Sequence, residues 1–176
     1  MVLNGIIGHF KDEYEFLSNF YMRGIEVEIN SIIRTCKSNE HGYQASKSLD
    51  DNVVLEILKL ETPGQAKRFW KKTSLVSPSD GRTDHVPPCK GRTEERIRPD
   101  WFEVNLDIMC RIVRAKFSQH PDLANRLLAT YPRELVEKNH WHDNFWGSCT
   151  CGKCPPGKNH LGKILMQIRC ELFNQS

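Results

Sequence analysis

The spacing of hydrophobic and polar positions changes period once along this chain. Near the start, Ile6-Ile7-Gly8-His9-Phe10 and Ile25-Glu26-Val27-Glu28-Ile29 alternate apolar and polar side chains, and Ile32-Ile33 resumes after Asn30-Ser31. A period of two puts successive side chains on opposite faces of an extended strand, so this part predicts two or three short strands, the later pair joined as a hairpin. From Glu40 the spacing becomes helical, and helices are expected at about 40–49, 51–60, 63–73, 100–118, 121–130 and 160–173. In the long one Phe102, Leu106, Met109, Val113 and Phe117 recur at steps of three or four, as a core-facing stripe does, and Pro99-Asp100 suits its start. In the last, Leu161, Ile164, Leu165, Ile168 and Leu172 form the stripe, with Asn159 available as N-cap. The expected fold is α+β and mostly helical: a compact single domain over residues 1–176 with a small N-terminal antiparallel sheet.

Composition narrows the function classes. A chain of 176 residues with 39% hydrophobic residues can bury one substantial core. No stretch approaches the roughly 20 apolar residues that span a bilayer, and the opening MVLNGIIGHFKDEYEF turns acidic too early for a signal peptide, so a soluble, cytoplasmic protein with no membrane partner is expected. Seven cysteines, an odd number, point in such a compartment to metal binding or reactive thiols and not to a disulfide framework. Residues 64–98 carry nine Lys and Arg against four Asp and Glu. A basic segment is either a phosphate or nucleic-acid face or simply solvated surface. Residues 74–98 combine Pro, Gly, Ser and charge without period and read as a long loop.

Two stretches carry candidate chemistry. Within Ser38 to Lys47, a helix would stack Glu40, Tyr43, Gln44 and Lys47 along one face, where a core helix would present Leu or Val. That face is either a site wall or a solvated surface with a Glu–Lys pair. The second stretch, His140-Trp141-His142-Asp143-Asn144-Phe145-Trp146-Gly147, sets aromatic rings beside titratable groups, as binding of a heterocyclic base requires; the alternative is a structural role for the tryptophans. Cys149, Cys151 and Cys154 form a C-x-x-C pair with one further thiol upstream, and Gly152 permits the turn of a metal knuckle. Structural zinc needs four ligands, and Cys89 is the first choice for the fourth, with Cys36, His85 or His160 behind it; otherwise the cluster is three free thiols in a loop. Cys110 and Cys170 read as core residues.

Several motifs resemble, in order, those of the NADAR (NAD and ADP-ribose) family. They are Phe16-Leu17-Ser18-Asn19-Phe20, Ser38 to Lys47, Arg98-Pro99-Asp100-Trp101, Trp141-His142-Asp143 with Phe145-Trp146-Gly147, and Gly157-Lys158-Asn159-His160-Leu161-Gly162-Lys163-Ile164-Leu165-Met166 with Arg169. The resemblance covers about residues 6 to 171 and departs from the family in an inserted loop at about 74–97 and a Cys-rich loop at 148–156. It implies an N-glycosidase acting on riboflavin-pathway intermediates that carry ribose 5-phosphate or on guanine bases that bear ADP-ribose. ADP-ribosylated DNA is then an expected partner, and no cofactor is needed for catalysis beyond the structural zinc.

Cleavage of an N-glycosidic bond passes through a ribosyl cation, which calls for a carboxylate near the anomeric carbon and a means of activating water. Glu40 is assigned to water activation or cation stabilisation and Asp143 to orienting the ribose or acting as partner acid, and these roles are exchangeable. Lys47 is either an imine-forming amine or a partner for phosphate or Glu40. Phe20, Trp141 and Trp146 are expected to sandwich the base or adenine; Asn19, Arg98, Lys158 and Asn159 to contact phosphate. Tyr43, Gln44, His142 and Gly147 complete the substrate-binding set. Two readings of other classes are a non-catalytic ADP-ribose or nucleotide sensor that keeps the pocket, and a nucleic-acid-binding module built on residues 64–98.

Overall fold

The computed structural model describes residues 5–70 and 97–174. Most of the inserted loop, with Cys89 and His85, lies outside them, as does the end of the third expected helix. The chain divides into two compact units, whose described parts are 19–70 with 97–119 and 5–18 with 120–174.

In the first unit, strands β2 (Ile25–Ile29) and β3 (Ile32–Cys36) pair antiparallel about Asn30 and Ser31, both at positive φ. This is the expected hairpin, and Ile25, Val27 and Ile29 are its buried face. Helices α1 (Asn39–Ala45), α2 (Asp51–Lys59), α3 (Pro63–Phe69) and α4 (Trp101–Gln119) follow, and α1 packs on all three of the others and on the hairpin. Each start has a local cause. Ser38 and Asp50 accept from backbone N–H groups of α1 and α2, and at α3 Thr62 and Gln65 form a reciprocal capping box with Pro63 in the first turn.

The stripe of α4 differs from its expected register. Met109, Val113 and Phe117 are buried, but Phe102 is 50% exposed and Leu106 is exposed, while Trp101, Asn105, Ile108 and Ile112 face inward. Near the start of α4 the tryptophan is held against Tyr43, with ring centroids 5.0 Å apart, and this sets which face turns in.

In the second unit, β1 (Ile6–Gly8) precedes a 3₁₀ turn at Asp12–Leu17, and α5 (Pro121–Leu128) leads to β4 (Glu134–Val136), β5 (Lys138–Asn139), β6 (Ser148–Cys149) and α6 (His160–Phe173). The first strand does not join the hairpin. It pairs in parallel with β4, and β5 pairs in parallel with β6. The expected stripe of α6 is buried from Leu161 to Ile168. Asn159 is not its side-chain cap: it adopts a left-handed conformation, and its amide accepts from Glu137 N–H (3.1 Å) and donates to the Leu135 carbonyl (2.9 Å). Gly162 lets α6 sit directly on β4, because a β-carbon there would collide with the carbonyl oxygen of Leu135. Cys110 is half-buried and Cys170 exposed, so neither is the core residue expected from its apolar surroundings.

Candidate active site

Every residue of α1 is buried, polar ones included. The solvated-face reading of this segment is therefore corrected. Burial obliges each polar group to find a partner. Glu40, 5% exposed, accepts from Gln44 Nε2 at 2.8 Å, and its backbone N–H donates to the Asn19 carbonyl at 3.0 Å. Asn39 donates to Asn19 Oδ1 (3.1 Å), Asn19 donates to the Met109 sulfur (3.4 Å), and Trp70 Nε1 donates to the Gln44 carbonyl (3.1 Å). Gln44 Oε1 and Asn39 Oδ1 are buried and accept no hydrogen bond from the described residues. A buried acceptor without a donor costs on the order of 1–3 kcal/mol.

The helix expected to reach residue 49 ends at Ala45, and Lys47 sits in the turn that follows, its N–H donating to the Gln44 carbonyl at 3.3 Å. Its Nζ is buried 5.4 Å from the ring centroids of both Tyr43 and Trp101, a cation–π setting. Arg98 N–H donates to the Lys47 carbonyl at 2.8 Å, which ties this turn to the segment leading into α4. The Arg98 guanidinium grips Asp100 with two bonds of 2.7 and 2.9 Å. That fork holds the Asp100 carboxyl below its usual range and raises Arg98 further, so the group expected on phosphate is engaged by the chain's own carboxylate. Phe20 is exposed, with Lys67 Nζ 5.7 Å above its ring. A polar cavity of about 290 Å³ in the same unit is lined by Arg98, Arg111, Asn30 and Ser46, among others. Glu40, Gln44 and Lys47 are not in its lining.

In the other unit, the second candidate stretch is a loop held by its own backbone. Asp143 Oδ1 accepts from the N–H groups of Phe145 (3.1 Å) and Trp146 (2.9 Å), while Asn139 donates to the Asp143 carbonyl (2.7 Å) and accepts from its N–H (3.1 Å). Trp146 is buried edge-on to Phe145, at 5.0 Å, and to His160, at 6.3 Å. Gly147 has no substitute, because a β-carbon would run into the Glu137 carbonyl oxygen. Trp141 is 52% exposed, and Lys158 Nζ lies 5.6 Å from the Phe145 ring. The Asn159 amide, expected on phosphate, is spent on β4 and Glu137 as described above.

Beyond Gly147 the ligating atoms of His142, Cys149, Cys151 and Cys154 all lie within 4.8 Å of one another, a group that can hold a metal ion. His142 was expected at the substrate; its Nδ1 is instead 3.2 Å from Cys154 Sγ and 3.6 Å from Cys149 Sγ. The Lys153 N–H, with the neighbouring thiols, pulls the Cys151 thiol down to about 6, and its bond to Cys151 pushes Cys154 up. Cys89 lies outside the described residues, so its expected place in the set is neither met nor excluded.

Residues 7–173 match the model of the NADAR domain. The chain belongs to the NADAR family. This NADAR protein is 36% identical over 161 residues to N-glycosidase YbiA of Shigella flexneri serotype 5b, covering 92% of the chain and 83% of that relative. It is also 36% identical to the chloroplastic riboflavin biosynthesis protein PYRR of Zea mays, covering 96% of the chain but 25% of that longer protein. The NMR structure of the Escherichia coli protein YbiA superposes with a TM-score of 0.74 at 32% identity, over 99% of this chain and 89% of that one.

Some residues around the NADAR site escape a reading by spacing. Asn39, Trp70 and Trp101 supply hydrogen bonds and an aromatic wall to α1 and Lys47. Lys116, 1% exposed on α4, is pushed down to about 7 by burial, with its Nζ 5.4 Å from the Tyr21 ring. Asn39 and Trp101 lie inside family motifs but Trp70 and Lys116 do not, and nothing in the spacing of Lys116 marks it as buried.

Proposed function

We propose that this NADAR protein hydrolyses the N-glycosidic bond of a phosphorylated ribosyl compound, either an early riboflavin-pathway intermediate or a guanine base bearing ADP-ribose, on free nucleotide or on DNA. The enzyme class, a hydrolase of N-glycosyl bonds, agrees with the names of its relatives. The carrying observation is the buried Glu40 carboxylate, accepting from Gln44 on a helix with no exposed residue. In such a low-dielectric wall a fixed negative charge stabilises a developing ribosyl cation far more than it would in water.

Glu40 is the better candidate for the reacting carboxylate. Asp143 spends Oδ1 on two backbone N–H groups and so is suited to orienting the loop and the ribose. Glu40 stabilises the cation at the anomeric carbon or takes a proton from the attacking water, which adds to that carbon as the bond to the base nitrogen breaks; the base leaves with a proton. Gln44 Oε1 and Asn39 Oδ1 are acceptors for ribose hydroxyls, and the expected free energy of those bonds is the one their burial withholds from the empty protein. Lys47, desolvated beside two rings, is placed to meet phosphate or the open aldehyde of ribose. Among the described residues no helix is long and apolar enough to cross a membrane. A cytoplasmic setting belongs to the same reading, since it keeps the clustered thiols reduced. The whole of residues 7–173 acts in it as one domain.

The test is to incubate the protein with ribosylaminopyrimidine phosphate and, separately, with ADP-ribosylated guanine DNA, and to follow free base by mass spectrometry. Release from either substrate supports the reading and chooses between them. Tight binding of ADP-ribose without release from either would turn the protein into a sensor and overturn it.

A further inference from the structure

The loop between His142 and Cys149 contains Asp143 and Trp146, and both of its ends belong to the thiol–imidazole cluster. We infer that His142, Cys149, Cys151 and Cys154 bind one structural zinc ion, and that this ion closes the loop and holds Asp143 and Trp146 in place. The donor set is the Cys₃His type that structural zinc sites use, with four protein ligands and no open position. Zinc–sulfur bonds of about 2.3 Å and zinc–nitrogen bonds of about 2.0–2.1 Å set tetrahedral ligand atoms roughly 3.5–3.8 Å apart. The separations in the cluster, 3.2 Å and 3.6 Å from His142 Nδ1 to two sulfurs and 3.4 Å between Cys151 and Cys154, are within a few tenths of an ångström of that figure.

The backbone is arranged for the same end. Cys151 N–H points at Cys149 Sγ and Lys153 N–H at Cys151 Sγ, each at 3.4 Å, and such donors stabilise thiolates. Gly152 turns the knuckle at φ +74°, with open space around it. His142 takes φ +67°, a conformation that a non-glycine residue adopts at a cost, and that conformation brings its imidazole to the sulfurs. The first thiol is anchored independently of the others, since Cys149 lies in β6 and its N–H donates to Asn144 Oδ1 at 2.9 Å. On binding, each coordinating thiol gives its proton to solvent and the imidazole binds neutral through Nδ1, so no oxidant or reductant is involved. Three close thiols without a metal would instead be open to oxidation, and Cys151 with Cys154 is the pair nearest to forming a disulfide.

Protein purified without chelator should contain about one zinc per chain. Cobalt in its place should give the intense visible absorption of a tetrahedral thiolate complex. Cys154→Ser and His142→Ala should lower the metal content well below that of the parent, His142→Cys should restore it, and Cys170→Ser, at an exposed thiol away from the cluster, should leave it unchanged. Chelation should speed hydrogen exchange at the amides of Phe145 and Trp146. Metal content near zero in a folded sample, or an intact mass lower by two hydrogens, overturns the site. Metal that binds without altering exchange at those amides overturns the clamp. The link to catalysis rests on the glycosidase reading, but the two can fail separately: an inactive protein with full zinc and a protected loop would sink the glycosidase alone.

Discussion

Helix α1 and the loop from Asn139 to Cys149 both fix a carboxylate, and they do it by opposite means. On α1 the backbone is satisfied within the helix and by Ser38, Asn19 and Trp70 outside it, so the side chains of Glu40 and Gln44 answer to each other and Gln44 keeps an acceptor in reserve. In the loop the backbone is irregular, and Asp143 and Asn139 are consumed in satisfying it. A regular element thus releases polar side chains for chemistry, whereas an irregular one uses them as mortar. On the proposed function, this contrast gives reaction to the helix and positioning to the loop.

The strongest challenge to that division is Glu40→Gln, which keeps the bond to Gln44 possible while removing the charge. Turnover should fall by about 10²- to 10⁴-fold with the melting temperature nearly unchanged; a variant of near-parental rate would hand the reacting role back to Asp143. Gly147→Ala tests the loop's dependence on backbone fit. It should destabilise the protein by roughly 3 kcal/mol or more, in keeping with the severe end of single substitutions, because the obstacle is a carbonyl and not a mobile side chain. Denaturant melts would read this directly. Asp143→Asn retains an oxygen for the two N–H groups, so it should cost less than about tenfold in rate, far below the loss at Glu40. Equal losses at the two positions would erase the distinction.

Lys116, a buried lysine of the α1-bearing unit, supplies the smallest and most specific test. Its folded value, about 7, lies below that of the unfolded chain. Between these limits the unfolded state binds the extra proton, so stability should rise with pH above about 7 by up to roughly 1.4 kcal/mol per pH unit. Lys116→Met should flatten the curve in that window; an unchanged slope would mean that the lysine stays charged inside.

The sequence discloses these elements unevenly, for physical reasons. The helices and the hairpin are legible because their period is written in local residues. The register of α4 is not: Phe102 and Leu106 fit the stripe as well as Trp101 and Ile108 do, and only the contact with Tyr43 decides. Strands β4, β5 and β6 run for two or three residues and are defined by parallel partners elsewhere, so no period can announce them. Glu40, Gln44 and Lys47 stood out because polar residues occupied positions that a core helix gives to apolar ones. His142 as a candidate fourth ligating group was hidden because the sequence reading set it at the substrate and sought the fourth ligand in Cys89, Cys36, His85 or His160, whereas the loop folds an imidazole seven residues upstream of Cys149 onto the cluster.

The parallel pairing of Ile6–Gly8 with Glu134–Val136 gives this protein an assembly problem. During synthesis the first strand leaves the ribosome long before its partner exists, while the hairpin and α1 to α4 are made in between. Pairing across so long a stretch of chain closes late, because loop-closure entropy must be met before the strand contacts repay it. The unit that contains the proposed metal clamp is therefore the last to be completed, and until then Ile7 remains an apolar strand residue without its mate. A newly made chain would reach a finished α1 before a finished loop at Asp143.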